Sequence, residues 1–344
     1  MMKIQTQSCV VNGKYDVAVV EQEVDYQGIG TLVKITRGGI CGSDLHYYQE
    51  GKVGSFQVRQ PMVLGHEVIG EVVASDTARL PVGQKVALNP SKPCGQCKYC
   101  LASQQNQCTQ MRFFGSAMYF PHVDGAFTQY KVVDSAQCIA FDADRDEKVM
   151  VFAEPLAVAI HAAKQPGEVK GIRVFVSGVG PIGCLLVAAL KALGADEIVC
   201  ADLSPRCLDI AQKMGATRCL HAGNDDFSLY QQEKGVFDIA FEVSGHPLSL
   251  QRCLEVTRAK GTVVQVGMGG SFPDFPLMLL IAKELTLLGS FRFVEEFDLA
   301  VAWLAEGIVN PLPLLSAEFD NQQLAQALAF AGDKSQAAKV QLVF

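Results

Sequence analysis

The loop Gly178-Val179-Gly180-Pro181-Ile182-Gly183 constrains this chain more than any other stretch, because of what flanks it. Residues 172–177 before it form an apolar run rich in β-formers, and residues 184–193 after it read as a helix closed by Gly194. The next run, 197–201, ends in Asp202, which lies 19 positions beyond the last glycine of the loop. A Gly-x-Gly-x-x-Gly alone is weak, but strand, loop, helix, strand and acid in one unit specify a dinucleotide-binding turn. In that turn Gly178 and Gly180 let the backbone approach a pyrophosphate. Gly183 permits close helix packing, and Val179, Pro181 and Ile182 lead into the N-H groups of the helix start. Asp202 can accept from a ribose 2'-hydroxyl and repels a 2'-phosphate, so NAD is preferred, while Arg206 nearby leaves room for NADP.

The alternation continues. Strands are expected at 217–220, 237–242, 262–267 and 285–290, and a helix at 205–214 between Ser204 and Gly215. With 172–177 and 197–201 this makes six strands, enough for a complete doubly wound Rossmann domain. Ser244, Val266, Gly267 and Met268 fall at strand ends, where such sheets contact their ligand. Beyond 290, two amphipathic helices (295–306 and 321–331) and a closing strand (339–344) are expected, the strand returning to the first domain.

The texture before residue 150 differs. Short β-rich runs at 9–11, 16–20, 30–36, 66–74, 84–88 and 126–133 are separated by turn residues, which reads as a β-barrel-like domain with few helices. The fold class is therefore α/β plus mainly-β, divided as 1–150, 151–290 and 291–344. One loop of the first domain carries Cys94, Cys97, Cys100 and Cys108. Four thiolates at that density close a tetrahedral shell, the pattern of a structural zinc. An iron-sulfur cluster or free thiols would be the alternatives, the first disfavoured beside a nucleotide loop. Elsewhere Cys41, His66 and Glu67 offer sulfur, nitrogen and oxygen to a second zinc with room for a substrate oxygen. Gly65 before them permits a sharp turn. Glu154, alone among apolar residues, is costly to bury unless paired or bound to metal. It reads either as facing that zinc or as a helix N-terminal carboxylate beside Pro155. His161, on the same helix, reads as a hydrogen-bonded core histidine.

With 29 basic and 36 acidic residues, no basic stripe for nucleic acid and no charged tail is present. The most apolar stretch, 275–282, is too short to span a membrane. No export signal is visible after Met1, and twelve cysteines without one point to reduced thiols in the cytoplasm.

With these residues in place the chain resembles the zinc-containing medium-chain dehydrogenases over essentially its whole length, and within them the polyol branch of sorbitol, xylitol and threonine dehydrogenases. The likeness is carried especially by residues 40–52, 89–100, 111–125 and 291–293. The resemblance implies a GroES-like β-barrel catalytic domain and a catalytic zinc on Cys41, His66 and Glu154. Glu67 would be a further ligand or close partner exchanging with Glu154. It implies a structural zinc on the four clustered cysteines and a proton relay through Ser43 and His46. Tyr47, Phe56, Phe114 and Arg292 would line the cleft for a sugar-acid or polyol substrate. Arg292 or Arg112 would be the partner of a substrate carboxylate. Ala117 stands where some polyol enzymes carry Thr. The family generally forms dimers or tetramers, so a homo-oligomer is expected.

Overall fold

The computed structural model describes residues 2–270 and 272–344 and divides into two compact units. The first runs to Glu154 and takes in Phe297–Gly307 and Leu315–Phe344; the second comprises Pro155–Glu296 and Ile308–Leu314. Residues 291–296 and 308–314 of the expected C-terminal segment 291–344 thus lie in the second unit.

The first unit is built on a seven-stranded sheet in which the strand Thr31–Gly39 has three partners. Glu67–Ser75, Tyr130–Val133 and Lys339–Val343 all pair with it antiparallel. The register sets Glu67 opposite Gly39, so the chain leaving the central strand toward Cys41 lies beside His66 and Glu67. Leu32, Val33 and Ile35 of that strand are fully buried together with Phe127, Leu64 and Leu342. At Gly65 the backbone has φ +91°, and a Cβ would sit 2.0 Å from Phe127 Cδ1, so only glycine fits the turn that presents His66.

Two elements exceed the sequence expectation. Met2–Gly13 and Asp16–Tyr26 form a hairpin of 12- and 11-residue strands, longer than the runs 9–11 and 16–20. Its outer half carries Lys3, Gln5, Glu21 and Glu23, whose polarity hides the strand period while the backbone ladder persists. A helix also forms at Gly42–Glu50, in a stretch whose texture suggested none. Cys41 is its N-cap, the Asp44 side chain accepts from the Cys41 N-H at 2.9 Å, and Gly51 ends it at φ +73°.

The second unit holds six parallel strands in the order Arg218–His221, Glu197–Asp202, Arg173–Ser177, Phe237–Glu242, Thr257–Gln265, Thr286–Gly289. The order reverses at Arg173–Ser177, the switch point where open α/β sheets bind ligands. Alternation of apolar strands and helices dictates this layering, and Phe175, Phe237 and Tyr230 stack in its core, with Phe237 5.4 Å from Phe175 and 5.2 Å from Tyr230. Helix Pro181–Ala192 buries Cys184 through Leu190. Among the described residues, no helix is long and apolar enough to cross a membrane.

His161 is buried, as a core histidine should be, with Nδ1 3.1 Å from Glu296 Oε2. Burial alone would raise the Glu296 carboxyl. Hydrogen bonds from His161 and the Val294 N-H outweigh it and hold the group down at about 2 against an ordinary 4.5. Its stabilisation is therefore complete above pH 4.5 and lost as pH falls toward 2. Glu296→Gln should make urea unfolding easier at pH 7, with the gap from the parent closing as acid is added. A gap of constant size across that range would refute the assignment.

Candidate active site

Three donors from two segments converge in the first unit. The ligand atoms of Cys41, His66 and Glu67 lie within 4.8 Å of one another. Asp44 brings the segments together. Its Oδ2 accepts from Cys41 N at 2.9 Å and its Oδ1 from Gly65 N at 3.1 Å, and it is buried. His66 is buried against Phe113, ring centroids 5.5 Å apart. Glu154, in the first turn of Ala153–Lys164, lies outside that set of three but is electrostatically coupled to all of them. Glu154 is thus a first-turn carboxylate, with Pro155 at the third helical position instead of the first, and the charges it feels include those of His66, Glu67 and Cys41.

The charges explain what the cluster wants. Burial, opposed by His66 and then reinforced by Glu67 and Cys41, pushes the Glu154 carboxyl up to about 8. Burial and the Glu67 charge push the Cys41 thiol up to about 11, against the pull of Lys339. Lys339 is itself buried, donates to Ile40 O at 3.1 Å and pairs with Glu67 at 2.5 Å. Burial thus favours the neutral forms of Cys41 and Glu154. To ionise them together as ligands needs more positive charge than the Lys339 ammonium, which a divalent cation among sulfur, nitrogen and oxygen donors would supply. The residues fit zinc.

The second cluster is local. The sulfurs of Cys94, Cys97, Cys100 and Cys108 lie within 4.8 Å of one another. Backbone N-H groups of Cys100 and Thr109 lower the Cys97 thiol to about 5, and those of Gln96 and Cys97 lower Cys94. The Cys94 and Gln110 N-H groups point at Cys108 Sγ, at 3.2 and 3.4 Å. The loop thus favours thiolate at Cys94 and Cys97, whereas burial and the neighbouring Cys97 sulfur push Cys100 up to about 12, a proton that a closed zinc shell would have to displace.

In the second unit, Gly178 has φ +91° with Ser244 N 2.7 Å from where its Cβ would be, and a Cβ on Gly183 would strike Gly178 O at 2.1 Å. Gly180, the N-cap of Pro181–Ala192, has nothing within 4 Å of its Cβ position, the open approach a pyrophosphate needs. Asp202 is fixed at its strand tip by the N-H groups of Val179 and Ser204, both at 2.8 Å. Arg206 is half-buried, on the helix Pro205–Met214 that follows.

The residues expected along the cleft divide. Tyr47, Phe114 and Ala117 are buried in one cluster, and Tyr47 Oη accepts from Ala117 N at 2.9 Å. Phe56 is exposed on the short strand Phe56–Gln57. Ser43 is half-buried and His46 exposed, three positions apart on one helix, with His46 Nδ1 3.0 Å from Glu50 Oε1. Arg112 stacks on Tyr119 at 4.3 Å and lines a hollow of about 420 Å³ with Lys92, Cys94 and Gln110, while its strand neighbour Phe113 takes the His66 side. Arg292, in the second unit, has φ +55° and lies 4.9 Å over Phe291.

Sequence reading missed Asp44 and Lys339. Asp44 carried a signal, an acid three positions after a helix N-cap. Lys339, which meets Ile40 from 299 positions away, carried none.

Cys100→Ser should cost the ion of the four-thiol lobe while the Cys41 and His66 set keeps its own, read by zinc analysis and by faster proteolysis within residues 94–111. Loss of neither ion would show that the lobe does not depend on zinc.

Residues 29–143 match the family model described as alcohol dehydrogenase GroES-like domain, and residues 181–306 that described as zinc-binding dehydrogenase. The chain is 66% identical over 343 residues, 100% of both chains, to L-idonate 5-dehydrogenase (NAD(P)(+)) of Escherichia coli K12. The crystal structure of the Escherichia coli L-idonate 5-dehydrogenase superposes with a TM-score of 0.99, covering 100% of this chain and 99% of that one at 66% identity. Sorbitol dehydrogenase of Bacillus subtilis is 35% identical, covering 86% of this chain and 85% of its own. The chain therefore belongs to the zinc-binding medium-chain alcohol dehydrogenases, oxidoreductases with a GroES-like domain and a Rossmann domain.

Proposed function

We propose that the chain oxidises L-idonate reversibly at its 5-hydroxyl to 5-keto-D-gluconate, with NAD preferred as hydride acceptor and NADP also used. The observation that carries this reading is 66% identity across the whole length of an L-idonate 5-dehydrogenase, together with an intact donor set. Zinc would be held by Cys41, His66 and an oxygen of Glu67 or Glu154, and when bound it supplies a Lewis acid that makes an alcohol hydroxyl more acidic.

The rest falls to the chain's own groups. Asp44 and Lys339 keep the donors oriented, as partners behind a ligand set do. Half-buried Ser43 and exposed His46 share a helix face and form an outward path for the hydroxyl proton. The Gly178–Gly183 turn and Asp202 hold the dinucleotide. Segments 244–245 and 266–268 orient its reacting half, since hydride transfer depends on distance and angle. Arg292 is the candidate partner for the substrate carboxylate, and Tyr47, Phe56 and Phe114 shape the space around the carbon chain. Arg112, on the strand face away from Phe113 and His66, suits that role less.

An NADH-detected assay tests this. L-Idonate should show a higher specificity constant than sorbitol, galactitol or threonine. Chelation should abolish the rate, zinc should restore it, and NADP should serve less well than NAD. Arg292→Met should cost roughly ten-fold or more with idonate and less with an uncharged polyol, the loss expected for one charged hydrogen-bond pair. A polyol preferred over idonate would remove the substrate assignment while leaving the chemistry.

Leu287 on the edge strand Thr286–Gly289 and Leu277, Met278 and Ile281 on the preceding helix are exposed, which supports a homo-oligomer. Light scattering at the mass of a single chain would refute it. The free cysteines, twelve in number, support a reducing, cytoplasmic setting.

A further inference from the structure

Glu242 ends the strand Phe237–Glu242 and is fully buried, yet the chemistry above does not use it. Its Oε1 accepts from Ser244 N at 2.9 Å, Ser244 Oγ at 2.5 Å and Gly245 N at 3.0 Å. Its Oε2 accepts from Gly245 N at 2.9 Å and Gln265 Nε2 at 2.6 Å. Its backbone carbonyl takes the N-H groups of Val266 and Gly267, at 2.8 and 2.9 Å, and Gln265 Nε2 reaches on to Gly267 O at 2.8 Å. Packing around the carboxylate is close. A Cβ on Gly267 would lie 2.1 Å from Gly245 N and 2.6 Å from Glu242 Oε2, and one on Gly178 would lie 2.7 Å from Ser244 N.

A buried carboxylate is costly unless its lone pairs are filled, and these donors fill them without a cation. What the arrangement achieves is mechanical. Past the strand ends only a few backbone bonds remain, from Val243 N-H to Ser177 O and from Val266 and Gly267 N-H to Glu242 O. Here one side chain adds the link that fastens the two segments together and seats both against the Gly178 turn. Sheet order gives this a direction. The strand ending in Asp202 lies on one side of Arg173–Ser177 and the strands ending at Glu242 and Gln265 lie on the other. A dinucleotide with its pyrophosphate at the glycine turn and its adenosine ribose at Asp202 must extend its nicotinamide half over 244–267.

We propose that Glu242 is a positioning residue for the nicotinamide half of the dinucleotide: its carboxylate locks segments 244–245 and 265–267 into one platform without touching the ligand. This rests on the dinucleotide site proposed above and specifies how half of it is held rigid.

Two probes separate the halves: NADH, and ADP-ribose, which lacks the nicotinamide ring. Both are titrated into the zinc-loaded protein by calorimetry. Glu242→Gln keeps the shape but turns an amide N-H₂ toward donors. It should weaken NADH roughly ten-fold or more, the worth of a lost charge-assisted hydrogen bond, while ADP-ribose stays within about two-fold. Gln265→Leu, which removes one strap and keeps the charge, should show the same split at roughly three-fold for NADH, and it decides the matter if Glu242→Gln fails to fold. Equal weakening of both probes, or none of either, overturns the proposal, because a purely structural defect does not distinguish ligands that differ only in the ring. A parent protein that binds neither probe would sink the dinucleotide site itself, and the platform with it.

Discussion

A carboxylate outside the metal's donor set holds the active site together. Asp44 takes the N-H of Cys41 on one oxygen and that of Gly65 on the other. It thereby fastens the start of a helix to the turn that presents His66. Hydrogen bonds to a charged, buried acceptor are each worth about 1.5–3 kcal/mol. The larger consequence is geometric, since zinc donors need placement to a few tenths of an ångström and two loops alone do not provide it. Everything else in the first unit serves this junction. The central strand delivers Cys41, its antiparallel neighbour delivers His66 and Glu67 in register with Gly39, and the Gly65 turn is held open by Phe127.

The return of the C-terminal segment has an electrostatic reason besides the hydrophobic one. Lys339–Val343 pairs with Thr31–Gly39 and buries Val340 and Leu342. Its first residue carries the ammonium that faces Glu67. Without a cation at that place, Glu67 would be an uncompensated carboxylate in a dry site, costing about 3–5 kcal/mol. Lys339 covers one negative charge and leaves the rest to the metal. Full neutralisation by lysines would leave no electrostatic work for a divalent ion, and none at all would leave the folded apo site strained.

What could be read in advance follows from how local each signal is. The four thiols and the glycine turn are legible because all their parts lie within one loop or one strand-turn-helix unit, where spacing is geometry. Cys41, His66 and Glu67 were legible only as a chemically sensible set, since their meeting depends on strand register that no short window records. Lys339 was invisible, because a lysine opening a closing strand looks like any solvent-facing cation. The outer hairpin was underestimated for the opposite reason: Lys3, Gln5, Glu21 and Glu23 obscure an apolar alternation that the ladder does not need. The helix at Gly42–Glu50 was hidden by an unusual N-cap, a cysteine, although Asp44 stood at the third helical position, where a capping box places an acid. Roles for Ser43, Tyr47, Phe56 and Arg292 came from the family likeness alone, as no residue pattern near them is specific to a substrate.

The two units share one structural device. Asp44 accepts from Cys41 and Gly65, Asp202 from Val179 and Ser204, and Glu242 from Ser244 and Gly245. Asp202 and Glu242 end strands and Asp44 stands in the first turn of a helix, and each binds backbone N-H groups of neighbouring turn segments. An acid suits the task because it only accepts, with room for several donors on two oxygens. An amide at the same place would turn an N-H₂ toward other N-H groups, and a hydrophobic residue would leave those groups buried and unsatisfied. Reactive segments in this fold must lie beyond the ends of strands, where ligands can reach them. The same position deprives them of ladder bonds, so precision there has to come from side chains. Carboxylates that fix the backbone, as Asp44, Asp202 and Glu242 do, are therefore as much a condition of the chemistry as the groups that would hold the metal.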